Sequence, residues 1–262
     1  MRSWAGDALK IARFAFQGNV AYGLVDPGRG EIRELAGPPF EGIRDTGSVR
    51  PLADVRLLAP VVPSKIVAIG LIYKDHALEM RKAIPEEPLI FLKAPSALND
   101  PGGVVVYPRA SRRVDYEAEL AVVIGKKAKD VAARDARSVI LGYTCINDVT
   151  ARDLQAKDVQ YARAKGFDTF APLGPWIETD LDPSALQVRC IVNGQVKQDS
   201  NTREMGASVF SLVDHISHVM TLYPGDVIAT GTPPGVGPLT VGDVVTVDIE
   251  GIGSLTNRIV AP

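Results

Sequence analysis

Asp115-Tyr-Glu-Ala-Glu-Leu-Ala-Val-Val-Ile-Gly125 is the stretch on which the reading of this chain turns. Val122, Val123 and Ile124 ahead of Gly125 have the composition of a buried strand that ends in a turn. Successive side chains of a strand point to opposite faces, so Glu117 and Glu119 share one face. On a helix the same i, i+2 pair diverges and cannot share an ion. Two carboxylates side by side on an apolar strand repel each other and lose hydration, and a cation between them relieves both penalties. Carboxylate oxygen is the donor that Mg²⁺, Mn²⁺ and Ca²⁺ prefer. The competing reading is a solvated face on which two glutamates keep an edge strand soluble.

A third carboxylate follows in Leu141-Gly-Tyr-Thr-Cys-Ile-Asn-Asp-Val-Thr-Ala-Arg-Asp153, where an apolar, β-prone run stops and a helix begins. Thr150 with Asp153 three residues later reads as an N-cap and a capping-box variant, which puts Asp148 at a strand end just ahead of a helix. A lone Asp in that place also serves as a turn residue. Taken from neighbouring strands, Glu117, Glu119 and Asp148 would form a three-carboxylate site with room for waters or substrate oxygens.

These segments are joined in order by Gly70-Leu-Ile-Tyr-Lys-Asp-His-Ala-Leu-Glu79, Lys165-Gly-Phe-Asp-Thr-Phe-Ala-Pro-Leu-Gly-Pro-Trp176 and Pro224-Gly-Asp-Val-Ile-Ala-Thr-Gly-Thr-Pro-Pro-Gly-Val236. Over residues 64–260 the chain resembles the fumarylacetoacetate hydrolase family. The likeness is to its small bacterial and mitochondrial members: 2-hydroxyhepta-2,4-diene-1,7-dioate isomerases, acylpyruvate hydrolases, and oxaloacetate decarboxylases or tautomerases. The resemblance implies a mixed β-sandwich roll, a homodimer, and Mg²⁺ or Mn²⁺ at the acids, with Ca²⁺ as a crystallographic substitute. It also implies a His–Glu pair on a mobile lid helix. The chain departs from the family pattern at Ile72, where Asn is common before the Tyr.

Composition is compatible. A chain of 262 residues buries a substantial core. A formal charge of −2, with no basic run or aromatic-interleaved patch, argues against a nucleic-acid partner. No apolar stretch approaches a membrane span, and the polar N-terminus does not resemble a signal peptide. Cys145 and Cys190 lack CxxC spacing and sit in apolar runs, which reads as reduced core residues of a cytoplasmic protein.

Residues 11–16 and 20–25 around Gln17-Gly-Asn19 read as a β-hairpin, and a Gly/Pro-rich loop and a strand over 55–58 follow. The expected division is a small N-terminal β domain over 1–60 and a catalytic domain over 61–262. Strands are expected over 66–69, 89–92, 104–107, 118–124, 188–192, 227–229 and 244–249. Helices are few, near 75–83, 133–141, 151–155 and 209–222. The fold class is therefore a β-rich α+β protein.

Of three histidines, His76 is the candidate base: it sits beside Asp75 at a helix start, and Glu79 shares its face to orient the imidazole. An exposed His at a helix end with a surface Glu is the plainer reading, which the family resemblance outweighs. His215 and His218 fall opposite the apolar stripe of their helix and read as a solvated face without a third ligand. Thr230-Gly-Thr-Pro-Pro-Gly-Val-Gly237 lacks phosphate-loop spacing and reads as a tight loop that offers backbone N–H groups and the Thr232 hydroxyl to an anion, or as a plain turn. Arg152 and Gln155 share a helix face, the first as a fork for a carboxylate and the second as a donor to a neutral oxygen. Lys165 would add positive charge at a developing oxyanion. Each of these three alone is an ordinary surface residue, and each becomes a site residue through the family's Arg-x-x-Gln and Lys-Gly-Phe-Asp-Thr patterns.

The expected chemistry is that of a metal-dependent enzyme on a 2-oxo acid, through an enolate. Proton transfer at C3 gives isomerisation or tautomerisation, and a 2-hydroxy-diene-dioate isomerase is the favoured reading. The alternatives are decarboxylation of oxaloacetate and C–C hydrolysis of acylpyruvates or fumarylacetoacetate-like substrates by a His76-activated water. A carboxylate-binding module that has lost catalysis is a further alternative, and the intact set of His76, Glu79, Glu117, Glu119 and Asp148 argues against it.

Overall fold

The structure, a computed structural model, describes residues 8–79 and 85–262, with the side chains of residues 76 and 77 outside that description. The chain opens on an antiparallel meander of β1 (Lys10–Phe16), β2 (Asn19–Asp26), β3 (Glu31–Leu35) and β4 (Asp45–Pro51), followed by the short β5 (Arg56–Leu58). Next come β6 (Ile66–Gly70), helix α1 (Lys74–Glu79), β7 (Leu89–Lys93), the two-residue β8 (Leu98–Asn99) and β9 (Val104–Val106). The centre is β10 (Val114–Tyr116), β11 (Ala118–Ile124), β12 (Ile140–Asn147) and β13 (Thr150–Ala151). Helices α2 (Arg152–Asp158) and α3 (Ala162–Lys165) lead into β14 (Ala171–Glu178). The hairpin β15 (Gln187–Val192) and β16 (Gln195–Asn201) is followed by α4 (Val209–Val219), then β17 (Val227–Ala229), β18 (Gly237–Leu239), β19 (Val244–Ile249) and β20 (Gly253–Val260).

The strands form three sheets. The largest runs β4-β3-β2-β1-β14-β12-β11-β17-β6-β7, a second runs β16-β15-β19-β20-β9, and a small third is β13-β10-β18. The second sheet lies against the middle of the first, and their facing apolar side chains make the main core. This is the β-rich α+β sandwich roll expected from the sequence. The N-terminal meander joins the large sheet through β1 on β14, with Ile11 opposite Ile177. Ala12, Phe14, Val25 and Ile32 gather beneath it as a separate small core. Among the described residues no helix is long and apolar enough to cross a membrane.

The edge-strand reading of the Glu-x-Glu stretch fails. β11 lies between β12 and β17 in the middle of the large sheet, and all seven of its residues are buried. Glu117 is not inside that strand. It occupies the junction where the chain leaves the small sheet after Tyr116 and enters the large one at Ala118. Other expectations need correction. The helix expected near 133–141 is a 3₁₀ segment, Ala133–Val139. Thr150 does not cap α2: its hydroxyl donates to the Asp148 carbonyl at 2.8 Å, and the N-cap position falls to Ala151. Asp153 instead accepts from the Ser111 hydroxyl at 2.6 Å and the Arg112 N–H at 3.0 Å. The first hairpin turns on Gln17 and Gly18, both at positive φ, rather than on Gly18 and Asn19.

Candidate active site

The three acids converge because β11 and β12 are antiparallel neighbours in a fixed register, with Ala118 opposite Asn147 and Glu119 opposite Ile146. Asp148 leaves the end of β12 beside Glu117, and the two backbones are tied together there. The Asp148 N–H donates to the Glu117 carbonyl at 2.9 Å, and the Glu117 N–H donates to Asn147 Oδ1 at 3.0 Å. Carboxylate oxygens of Glu117, Glu119 and Asp148 lie within 4.8 Å of one another, and all three residues are buried. Burial, then the charges of Asp148 and Glu117, push the Glu119 carboxyl well above its ordinary 4.5. Burial would raise Glu117 as well, but Lys165 and Arg152 override it and bring that carboxyl down to about 2.

A divalent cation fits this group. Its donors are all carboxylate oxygens, the set a hard cation takes, and it contains none of the sulfur or nitrogen ligands that zinc favours. Asp148 Oδ1 is buried without an aligned hydrogen-bond donor; Lys93 Nζ stands 2.6 Å away as an ion pair directed off the hydrogen-bond axis.

Two buried ammonium groups flank the acids. Lys165, at the end of α3, places Nζ 2.8 Å from Glu117 Oε2 and 2.5 Å from Asp148 Oδ2. Burial opposes its charge, yet Asp148 and Glu117 hold its pKa above the ordinary 10.5. The ring of Phe91 lies 5.1 Å beneath it. Lys93, which sequence reasoning missed, ends β7 with its side chain wholly enclosed. Its ammonium donates to the carbonyls of Lys165 at 2.7 Å and Val149 at 3.3 Å, and burial pulls its pKa down against the attraction of Asp148. The available signal was a lysine closing the apolar run Leu-Ile-Phe-Leu-Lys93.

Arg152 and Gln155 lie together on the first turn of α2, as their spacing implied. Arg152 does not present an empty fork. Nε donates to Asp115 Oδ2 at 2.9 Å, Nη2 to Glu117 Oε1 at 2.5 Å, and Nη1 to Gln155 Oε1 at 2.7 Å. Asp115 was quoted in the motif but not singled out. It is fully buried and is gripped from the solvent side by Arg113.

The loop over 230–237 does hold anions, and they belong to the chain itself. The Gly231 N–H donates to Glu119 Oε2 at 2.8 Å, and the Gly235 N–H reaches both Glu79 carboxylate oxygens at 3.1 and 3.3 Å. Gly231 has φ 93°, and a Cβ there would stand 2.5 Å from Ile72 Cγ2, so the position requires glycine. The Thr232 hydroxyl donates to the Ala118 carbonyl at 3.0 Å and accepts from Gln198 Nε2 at 2.8 Å. Gln198 was also missed. It is buried and accepts from the Ala118 N–H at 2.9 Å, so it clamps the loop to the junction beside Glu117.

Helix α1 packs beside this loop, with Asp75 accepting from the Ser200 hydroxyl at 3.1 Å and Tyr73 bridging to Met205. The His76 side chain, and residues 80–84 of the expected lid, lie outside the described residues. His218 is exposed, with Nδ1 3.1 Å from Asp214 Oδ1, on the solvated face expected of it. Cys145 and Cys190 are buried free thiols.

A cleft of about 60 Å³ opens onto Glu117, Glu119, Arg152, Gln155, Lys165 and Thr232, with Leu71, Phe91 and Tyr161 as its apolar side. A larger cleft of about 730 Å³ lies on the N-terminal meander between Lys10, Asp26 and Arg33 and contains none of these residues.

Residues 65–260 match the family model for the fumarylacetoacetate (FAA) hydrolase C-terminal domain, and residues 9–60 match an Rv2993c-like N-terminal model. The chain belongs to the fumarylacetoacetate hydrolase family and is an enzyme of that family. It is 49% identical over 260 residues to protein Rv2993c of Mycobacterium tuberculosis, covering 96% of this chain and 98% of that one. It is 44% identical over 225 residues to the mitochondrial oxaloacetate tautomerase FAHD2A of Bos taurus, covering 81% of this chain and 72% of the relative. Among solved structures, 2-hydroxyhepta-2,4-diene-1,7-dioate isomerase from Mycobacterium marinum superposes with a TM-score of 0.91 at 47% identity, over 97% of this chain and 98% of that one. Maleylpyruvate hydrolase from Sphingobium sp. SYK-6, in complex with manganese(II) and pyruvate, superposes with a TM-score of 0.81 at 33% identity, over 96% and 99%.

Proposed function

We propose that this chain is a divalent-metal-dependent isomerase or tautomerase of 2-oxo and 2-hydroxy-enoic acids, with a 2-hydroxy-diene-dioate as its preferred substrate. The observation that carries the reading is the buried group of Glu117, Glu119 and Asp148 with Lys165 and Arg152 beside it. Three buried acids with a cleft at their mouth serve no packing purpose that apolar residues would not serve better. Glu117, Glu119 and Asp148 would hold Mg²⁺ or Mn²⁺, which when bound supplies a Lewis acid to the oxygens of a 2-oxo acid.

The chain's own groups divide the remaining work. Arg152 and Gln155 line the cleft and bind substrate carboxylate and carbonyl oxygens. Lys165 is a fixed, desolvated positive charge that would hold the negative charge of the enolate, formed when the 2-hydroxyl of a dienol gives up its proton or when a 2-oxo acid loses one from C3. Thr232, engaged with Ala118 and Gln198, shapes the wall rather than reaching out with its hydroxyl. His76 is assigned the movement of the C3 proton and Glu79 the orientation of its ring. The likeness to a maleylpyruvate hydrolase supports a second reading, C–C hydrolysis, in which His76 activates water against a C4 carbonyl. The family resemblance adds a homodimer to the proposal, and the two unpaired thiols add a cytoplasmic setting.

Product analysis decides between these readings. The panel is 2-hydroxy-diene-dioates, oxaloacetate and acylpyruvates, each with Mn²⁺, Mg²⁺ or excess EDTA. Isomerised diacid should form with metal, cease with EDTA and return on adding Mn²⁺ back. Turnover unchanged in EDTA would remove the metal from the reading, and cleavage products alone would favour the hydrolase.

A further inference from the structure

Asp115 is a buried charge at this site with no task in the proposed chemistry. It lies in the short strand β10, paired to Thr150 on one side and Pro238 on the other, and none of its surface reaches solvent. Arg113 holds it from outside with Nε at 2.9 Å on Oδ1 and Nη2 at 3.1 Å on Oδ2. On the inner side Oδ2 accepts Arg152 Nε at 2.9 Å. Arg113, Asp115, Arg152 and Glu117 thus form a row of alternating charge that runs from the surface to a carboxylate of the metal group.

We propose that Asp115 is a positioning residue for substrate recognition: it fixes the Nε edge of Arg152 so that both Nη atoms serve the cleft. An arginine has five N–H donors. Three of those on Arg152 have partners, at Asp115, Glu117 and Gln155, which leaves one N–H on each Nη for a ligand carboxylate. A guanidinium held at one edge loses little further freedom when an anion binds at the others. Without Asp115 the same side chain would rotate and stay collapsed on Glu117. The proposal rests on the assignment of Arg152 to substrate and of the three acids to metal.

Titration calorimetry on the full chain tests it, first with Mn²⁺ alone and then with oxalate added to the Mn²⁺-loaded protein. Asp115→Asn should keep Mn²⁺ affinity within about threefold and weaken oxalate by roughly 10- to 100-fold, the scale of one misaligned charge-assisted contact. Arg152→Gln should show a similar oxalate loss, and the double variant no greater loss than Arg152→Gln alone, because Asp115 acts through Arg152. Normal oxalate binding in Asp115→Asn, with a loss in Arg152→Gln, overturns the proposal and leaves the functional reading standing. Loss of Mn²⁺ binding in Asp115→Asn also overturns it, since Asp115 would then support the metal group directly. A wild-type protein that binds no oxalate with Mn²⁺ overturns both. If Asp115→Asn does not fold, the wild type answers by NMR of its arginine Nε–H groups. The Arg152 Nε–H should stay protected from solvent exchange when oxalate binds, and rapid exchange in the complex refutes the proposal.

Discussion

Replacing Glu119 by Gln removes one of three buried acidic groups while keeping an oxygen for the Gly231 N–H, so it isolates electrostatics from shape. Carboxylate oxygens within 4.8 Å repel by about 3–4 kcal/mol per pair at an effective dielectric of about 20. Lys165, bonded to Glu117 and Asp148, offsets much of this. A net relief on the order of 1–2 kcal/mol remains, which corresponds to a rise of about 2–8 °C in the Tm of a chain this long. The sign follows from linkage. The folded pKa of Glu119 is raised, so in the pH window between its unfolded and folded values the native state takes up a proton that the unfolded chain has released, and above that window the folded carboxylate bears the full repulsion. Its contribution to metal-free stability is full below the ordinary 4.5 and is lost as pH rises through the raised value. Glu117 runs the other way: its folded pKa is about 2, so its contribution is present above 4.5 and lost as pH falls through 2. In EDTA at neutral pH the Glu119→Gln protein should therefore melt above wild type. In saturating Mn²⁺ the order should invert, because a cation at about 100 times its Kd stabilises wild type by about 2.7 kcal/mol and finds an incomplete group in the variant. Differential scanning calorimetry in both buffers reads the crossing. A variant that melts below wild type in EDTA, or gains as much from Mn²⁺, refutes the electrostatic account of the site.

Lys93→Met should destabilise the protein by on the order of 3 kcal/mol in urea unfolding, because Asp148 loses a buried partner and two carbonyls lose a donor; an unchanged midpoint would show that Lys93 is dispensable. His76→Ala should retain Mn²⁺ and oxalate affinity but lose on the order of 10²–10⁴ in turnover, with a smaller loss for Glu79→Gln. Stopped-flow rates equal to wild type for His76→Ala on every substrate would remove the pair from catalysis.

Much of this was legible in the sequence because it rests on period and short range. The strands expected over 118–124, 227–229 and 244–249 occupy those residues. Their β-branched runs are bounded by turn residues, and pleat geometry does the rest. What escaped was set by pairing across the sheet. Ala171–Glu178 carries Pro172 and Pro175, which demote a run on local grounds, yet β14 sits between β1 and β12. Pro175 is tolerated because it falls where the register against β12 shifts between Tyr143 and Cys145. β16 is largely polar, Gln-Val-Lys-Gln-Asp-Ser-Asn, and is a strand because Asn193 and Gly194, both at positive φ, turn it back onto β15.

The same distinction separates the acids from the groups that serve them. Glu117, Glu119 and Asp148 stood out in the sequence, because carboxylates set in apolar runs are costly unless something cationic meets them. Lys93, Asp115 and Gln198 were harder to see, because the partners that tie each to the site lie far along the chain: Lys93 at Asp148 and Lys165, Asp115 at Arg152, Gln198 at Thr232. The common cause is the sheet change at Glu117. A strand that continued straight would have carried Glu117 and Glu119 onto one flat face, with no backbone of a second sheet nearby. The break instead brings β13 and β18 against β10 on one side of Glu117, while β12 and β17 hold β11 on the other. Arg152 then follows directly from the end of β13, the Gly231–Thr232 loop joins β17 to β18, and both necessarily arrive at the same corner. The cleft stands where the two sheets part, so the residue that decides the fold's topology is also the first carboxylate of its site.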